Sequence, residues 1–173
     1  VITACSPHNF SLVKDLGAIE AFDYNDPDCA KKIREYTHDN LKLCWDTIGL
    51  PATAEPCANA LSSDGEGCKY GSITNSTCAR PEVKSTWSLA YTAIGEAFEF
   101  GPPIGTVPAS KEDFEYMKAW ALEWEKAFVE KTVKASEPHV GPDGLKGAIQ
   151  GMDDVKNGRN SGVRLAFKVD ETP

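Results

Sequence analysis

The sequence predicts an α/β protein: a partial Rossmann-type parallel sheet with flanking helices, followed by a C-terminal return of helix and strand. Three observations predict it. Short apolar runs alternate with helical patterns through the first half of the chain. The spacing of strand and helix is that of βαβ units, which build parallel sheets covered by helices on both faces. A capped helix and a final strand of alternating polarity close the chain.

The elements follow in order. Val1 to Cys5 reads as a strand. Asn9 to Leu16 reads as a short helix with Phe10, Val13 and Leu16 on one side, ended by Gly17. Ala21 to Tyr24 is a second strand, and Asp28 to Tyr36 a helix with Cys29, Ile33 and Tyr36 on one side. Leu41 to Asp46 alternates apolar and polar residues as a third strand. Ala52 to Leu61 is helical, with Pro56 expected near its first turn. A polar turn, Ser62 to Gly67, leads to a fourth strand from Cys68 to Thr74. Gly65 and Gly67 in that turn lead into a strand rather than a helix, so they read as turn residues and not as a phosphate loop.

The second half reads differently. Pro81 to Thr86 is expected to be a loop, and Ser88 to Phe100 a strand ending in a turn at Gly101-Pro102-Pro103. Ser110 with Glu112 and Asp113 marks a helix start. Phe114, Met117, Trp120, Ala121, Trp124 and Phe128 then recur at helical spacing, as a core-facing stripe would. Asp143 is placed to cap another helix, with Leu145, Ala148, Ile149, Met152 and Val155 inward and Gly158 as its stop. Val163, Leu165, Phe167 and Val169 form a half-buried last strand.

Composition excludes some functions. The net charge is −8, and an acidic chain repels phosphate backbones, so no nucleic-acid partner is expected. No apolar run reaches the roughly 18–20 residues of a membrane span. Val1–Cys5 is too short for a signal-peptide core. The expected location is cytoplasmic. The six cysteines are scattered without a paired-ligand spacing, so no metal site is expected. They are expected to be free, with Cys5 and Cys44 as core thiols. Cys57, Cys68 and Cys78 lie nearest one another in sequence and are the best placed to pair. Asn75-Ser76-Thr77 is a formal glycosylation acceptor whose pattern is common by chance.

Chemistry is expected beyond the carboxyl ends of the strands, where doubly wound sheets bind ligands. The first strand ends at Ser6-Pro7-His8-Asn9. An NAD-binding strand ends there in an acid that holds the ribose hydroxyls. Ser6 and Asn9 instead offer neutral donors, and a helix opens beside them. That suits a 2′-phosphate, hence NADP(H), although a plain helix cap explains the same residues. The glycine-rich dinucleotide fingerprint does not occur in the sequence. His8, His38 and His139 are scattered and no nucleophile elbow is present, so no catalytic residue is assigned.

Thr3-Ala4-Cys5-Ser6-Pro7-His8-Asn9-Phe10, Leu16-Gly17-Ala18 and Phe22-Asp23-Tyr24 resemble one family closely. Ile33-Arg34-Glu35-Tyr36-Thr37, Asp46, Trp87, Gly141 to Leu145 and Asn157 to Gly162 continue the likeness. The chain resembles the C-terminal half of the fungal trans-acting enoyl reductases of polyketide biosynthesis, zinc-free members of the medium-chain dehydrogenase/reductase family. The resemblance implies NADPH-dependent enoyl reduction of carrier-bound polyketide, with a synthase carrier domain or a small polyketide as partner. It implies a nucleotide-binding segment over 1–135, and over 136–173 a segment returning to the catalytic domain. By matching position, Ser6, Pro7, His8, Asn9 and Tyr24 would face the adenosine 2′-phosphate, and Ile73 and Thr74 the nicotinamide side. Tyr91, Thr92, Ala93, Ile94 and Gly95 would line the substrate pocket, and Asn160 and Ser161 would touch the cofactor.

The family's first nucleotide-binding strand and glycine loop have no counterpart in this sequence. In the strand order 3-2-1-4-5-6 that strand lies between Val1–Cys5 and Leu41–Asp46. Each buried unpaired backbone group costs about 1–3 kcal/mol. Either the two strands collapse together, or a second copy donates a strand by self-association through the open edges, or the missing half comes from elsewhere. Two other functions stay open: a cofactor-free polyketide cyclase or isomerase using Trp87, Tyr91, Phe98 and Phe100, and a non-catalytic binding module.

Overall fold

The computed structural model describes residues 1–136 and 138–173. The backbone separates into two compact units, one formed by Val1–Ala21 with Ala127–Pro173 and the other by Phe22–Lys126.

The second unit holds the main sheet. Strands β3 (Leu43–Asp46), β4 (Lys69–Ser72) and β5 (Lys84–Trp87) run parallel in that order. Helices α2 (Cys29–Tyr36) and α3 (Pro51–Ala60) precede and follow β3. Alternation on the strands gives the sheet two unlike faces. Tyr70 of β4 is fully buried with Ala54, Leu61, Cys68 and Val83, and Cys44 and Cys57 pack against this core. On the other face, Leu43 and Trp45 are exposed, Trp45 by 54 %. Arg80 fastens the C-terminal end of α3, its guanidinium donating to the carbonyls of Ala58 (3.0 Å) and Ser62 (2.9 Å). A cation there also meets the negative end of the helix dipole.

Several expectations give way here. Lys84–Thr86 belong to β5 rather than to a loop, and register with Lys69–Gly71. Their polar side chains hid a strand whose only requirement is backbone pairing. Ser88–Phe100 is not one strand: a 3-10 turn (Ala90–Ile94) precedes the short β6 (Phe98–Glu99), which pairs antiparallel with β7 (Thr106–Val107). Pro56 lies inside α3, beyond the first turn. Cys44 is only half buried, as is Cys5; the buried thiols are Cys29 and Cys68, and all six are free.

Helix α4 (Lys111–Val129) starts as expected, the Asp113 amide donating to Ser110 Oγ at 3.1 Å. Its aromatic stripe is not core. Phe114, Met117, Trp120, Trp124 and Phe128 are all substantially exposed, and Trp120 stacks on Trp124 at 5.5 Å.

In the other unit, β1 (Ile2–Cys5) leads through a 3-10 turn (Pro7–Asn9) into α1 (Phe10–Asp15). β1 makes a two-stranded sheet with β2 (Glu20–Asp23). β8 (Pro138–Gly141), not foreseen in the sequence, pairs parallel with β9 (Arg164–Phe167) across α5 (Gly144–Lys156). Phe167 lies close against Gly141 and Gly151. The Asp143 side chain makes no cap bond, and the stripe expected inward on α5 faces out, with Ile149 70 % and Met152 73 % exposed. Periodicity identified both amphipathic helices correctly, but it cannot show whether a partner surface covers the apolar side.

β1 and β3 stand in separate sheets.

Candidate functional site

Two separate places carry the residues singled out in the sequence. The first is at the carboxyl end of β1. Ser6 has extended backbone, and the tight turn after it brings the Asn9 amide to the Ser6 carbonyl at 2.9 Å. This turn aims His8 and Asn9 at the loop between α5 and β9. His8 Nε2 lies 2.8 Å from Ser161 Oγ, and Asn9 Nδ2 donates to the same oxygen at 3.1 Å. Gly162 permits the approach: a Cβ there would lie 2.7 Å from Asn9 Oδ1, and its φ of +68° disfavours other residues. Residues about 150 apart in sequence thus form one exposed donor cluster. Beside Ser161, Asn160 donates through Nδ2 to the Val163 carbonyl at 3.2 Å, while its buried Oδ1 has no partner among the described residues. A buried acceptor without a donor is costly.

The cluster offers hydrogen-bond donors to an anionic oxygen. His8, Asn9 and Ser161 can each donate to phosphate oxygen, and Asn160 Oδ1 can accept from a sugar hydroxyl or an amine. A carboxylate standing where Ser6 is would repel a phosphate.

The second place is at the carboxyl ends of β3 and β4. Asp46, 5 % exposed, ends β3 and accepts from the amides of Ile48 and Gly49, both at 2.9 Å, from Thr53 Oγ1 at 2.7 Å and from Tyr70 Oη at 2.9 Å. Burial pushes its carboxyl up, but those four donors together hold it below the ordinary range. Burial and the neighbouring Asp46 carboxylate raise the Tyr70 hydroxyl to about 12. The network fixes the turn at Gly49, whose φ is +70°, and Thr74 Oγ1 donates to the Gly49 carbonyl. Ile73 and Thr74 thus sit on a braced, exposed rim. Asp46 was noticed in the sequence only as part of the family likeness; its buried network was missed. A clue lay in Asp46 closing a strand three residues before Gly49, the pattern of a side chain turning the backbone.

Further along this unit, Tyr91 in the Ala90–Ile94 turn meets Phe98 at 6.0 Å and Phe100 at 5.8 Å between ring centroids. Thr92 Oγ1 donates to the Leu89 carbonyl at 2.8 Å, and Gly95 packs against Phe114. Ala93 and Ile94 complete the turn, with Ile94 exposed. Tyr24 is exposed just after β2. Among the described residues no group of three or more His, Cys, Asp or Glu side chains is placed to hold a metal ion. No described helix is long and apolar enough to cross a membrane.

The parallel sheets and flanking helices are those of the medium-chain reductase fold. The JamJ enoyl reductase matches with a TM-score of 0.65 at 10 % identity, over 95 % of this chain and 46 % of that one. Mycobacterial Rv1454c complexed with NADPH matches with a TM-score of 0.65 at 17 % identity, over 97 % of this chain and 48 % of the other. No family model matches the chain.

In sequence the chain is similar to fungal trans-enoyl reductases over nearly its whole length. ACTTS2 of Alternaria alternata is 39 % identical over 98 % of this chain and 48 % of its own length. The resD reductase of Aspergillus sclerotiorum is 35 % identical over 97 % and 47 %. The chain spans about half the length of these relatives.

Proposed function

We propose that the chain supplies the nucleotide-binding side of an NADPH-dependent enoyl reductase that acts on polyketide intermediates held on a synthase carrier domain. The observation that carries this reading is the junction of His8 and Asn9 with Ser161 at the end of β1. An NAD-selective strand end carries an acid, and donors in place of one support this reading.

In this reading Ser6 and Pro7 shape the turn, His8, Asn9 and Ser161 hold the 2′-phosphate, and Asn160 Oδ1 takes a hydrogen from the adenosine portion. Tyr24 contributes to adenosine binding. Ile73 and Thr74 border the nicotinamide, held in place by the Asp46 network. Tyr91 to Gly95, with the rings of Phe98 and Phe100, give an apolar wall to the substrate. When bound, the cofactor supplies the hydride that reaches the β-carbon of the enoyl thioester. This chain's residues orient and exclude water; no acid–base group in it is assigned to protonate the enolate. The bare faces of α4, α5 and β3 support a further element of the reading: the rest of the reductase packs there and brings the remaining groups.

Titration with NADPH and NADH, followed by the change in dihydronicotinamide fluorescence, tests the assignment. NADPH is expected to bind at least about tenfold tighter, since hydrogen bonds to a charged group contribute about 1.5–3 kcal/mol. Ser161→Ala and His8→Ala should each weaken NADPH and leave NADH unchanged. Equal affinity for the two cofactors, or equal weakening of both, contradicts the reading.

A further inference from the structure

We propose that Cys44 and Cys57 form an oxidation site, closing reversibly to a disulfide that ties β3 to α3 when the protein meets a peroxide.

The geometry comes from the strand–helix packing. Asp46 and Cys44 are two residues apart on β3 and face the same side; Thr53 and Cys57 are four apart on α3 and share one helix face. The Asp46 carboxylate and Thr53 Oγ1 meet at 2.7 Å, which fixes one rung between the two elements. Two strand residues advance about 6.6 Å and four helix residues about 6 Å, and a helix that follows a strand runs back along it. The next rung therefore joins Cys44 to Cys57. Both thiols pack on the edge of the same core, near enough to shift each other's titration. Both are half buried, so a small oxidant can reach them. Cys29 and Cys68 are buried, and Cys78, half buried at the same core, is engaged instead with the Arg80 carbonyl and the Ser85 hydroxyl, each at 3.6 Å.

The contact also divides the roles. The neighbouring Cys57 thiol holds the Cys44 thiol below the ordinary range against its burial. The same contact, with burial, pushes Cys57 up. In this proposal Cys44 is the sulfur that becomes thiolate and attacks. Its sulfur bonds to one peroxide oxygen as the O–O bond breaks, and hydroxide leaves and takes a proton to become water. The Cys57 sulfur then attacks the Cys44 sulfenic acid; the S–S bond forms, the S–O bond breaks, and the second water leaves with the Cys57 proton. The two sulfurs lose two electrons and the peroxide gains them. A dithiol restores the pair.

The test uses the intact 173-residue chain and one equivalent of hydrogen peroxide under native conditions, read by intact mass and by non-reduced peptide mapping. The expected result is loss of two hydrogen atoms in mass, a cross-link between the peptides holding Cys44 and Cys57, and full reversal by dithiothreitol. Cys57→Ser should stop at a sulfenic acid on Cys44 that dimedone captures, whereas Cys44→Ser should leave Cys57 unlabelled. Circular dichroism of each variant shows whether it is folded. A first cross-link through any other pair, over-oxidation of wild-type Cys44 to sulfinic acid, or both thiols still open to maleimide after treatment overturns the proposal.

Discussion

The β3–β4–β5 sheet with α3 and the α5 layer both carry apolar patterns, yet among the described residues the Tyr70 face of the sheet is covered and the apolar stripe of α5 is not. Around Tyr70, the strand faces, α3 and the turn after it exclude water from Leu61, Cys68 and Val83. On α5, the stripe of Leu145, Ile149, Met152 and Val155 remains in solvent although the helix forms over its expected length. Apolar periodicity therefore sets the element, and its stabilising effect depends on what covers it. In the first region a side chain contributes to folding of this chain. In the second it lies exposed to solvent.

The contrast can be broken by mutation. Leu61→Ala removes a fully buried side chain and should cost about 3 kcal/mol in denaturant unfolding, within the ~2–5 kcal/mol of such truncations. Gly49→Ala should cost about 2 kcal/mol, since its φ is +70° and its Cβ would lie 2.4 Å from Thr74 Oγ1. Tyr70→Phe deletes one of four donors to Asp46 and should cost about 1 kcal/mol. Ile149→Ala and Met152→Ala should shift the same unfolding curve by under about 0.5 kcal/mol. If the α5 variants cost as much as Leu61→Ala, the two regions are not different in kind.

Acid sharpens the same comparison. The folded Asp46 carboxyl titrates below its unfolded value. Its stabilisation is present above the unfolded pKa of about 3.9 and is lost as pH falls through the lower folded value. Asp46→Asn should flatten that part of the stability–pH profile. Equal acid sensitivity in wild type and variant would remove Asp46 from its place in the network.

The sequence alone made much of the fold legible. β1 to β4, the helices between them, α4 and α5 all lie where periodicity and caps put them. β5 was missed because Lys84, Ser85 and Thr86 carry no apolar alternation. β8 was missed because Pro138, His139 and Gly141 are poor strand formers held by pairing with β9. At the candidate site, Ser6 to Asn9 announced themselves by lacking an acid. The meeting of Asn9 with Ser161 joins the two ends of the chain, and no local pattern encodes such a contact. Only the family likeness named both partners. Of the buried Asp46 network only the turn at Gly49 left a local sign; the meeting of Asp46 with Thr53 and Tyr70 did not, because three residues on three elements meet only after folding.

The central claim is that the His8–Asn9–Ser161 cluster reads a 2′-phosphate, and adenosine monophosphates test it most directly. Adenosine 2′-monophosphate and adenosine 5′-monophosphate would be titrated separately into the labelled chain, following the His8 ring and Ser161 amide signals by nuclear magnetic resonance. The account predicts saturable shifts at both residues with the 2′ isomer and little response to the 5′ isomer. Identical responses to the two isomers, or shifts with the 2′ isomer that bypass His8 and Ser161, would contradict it.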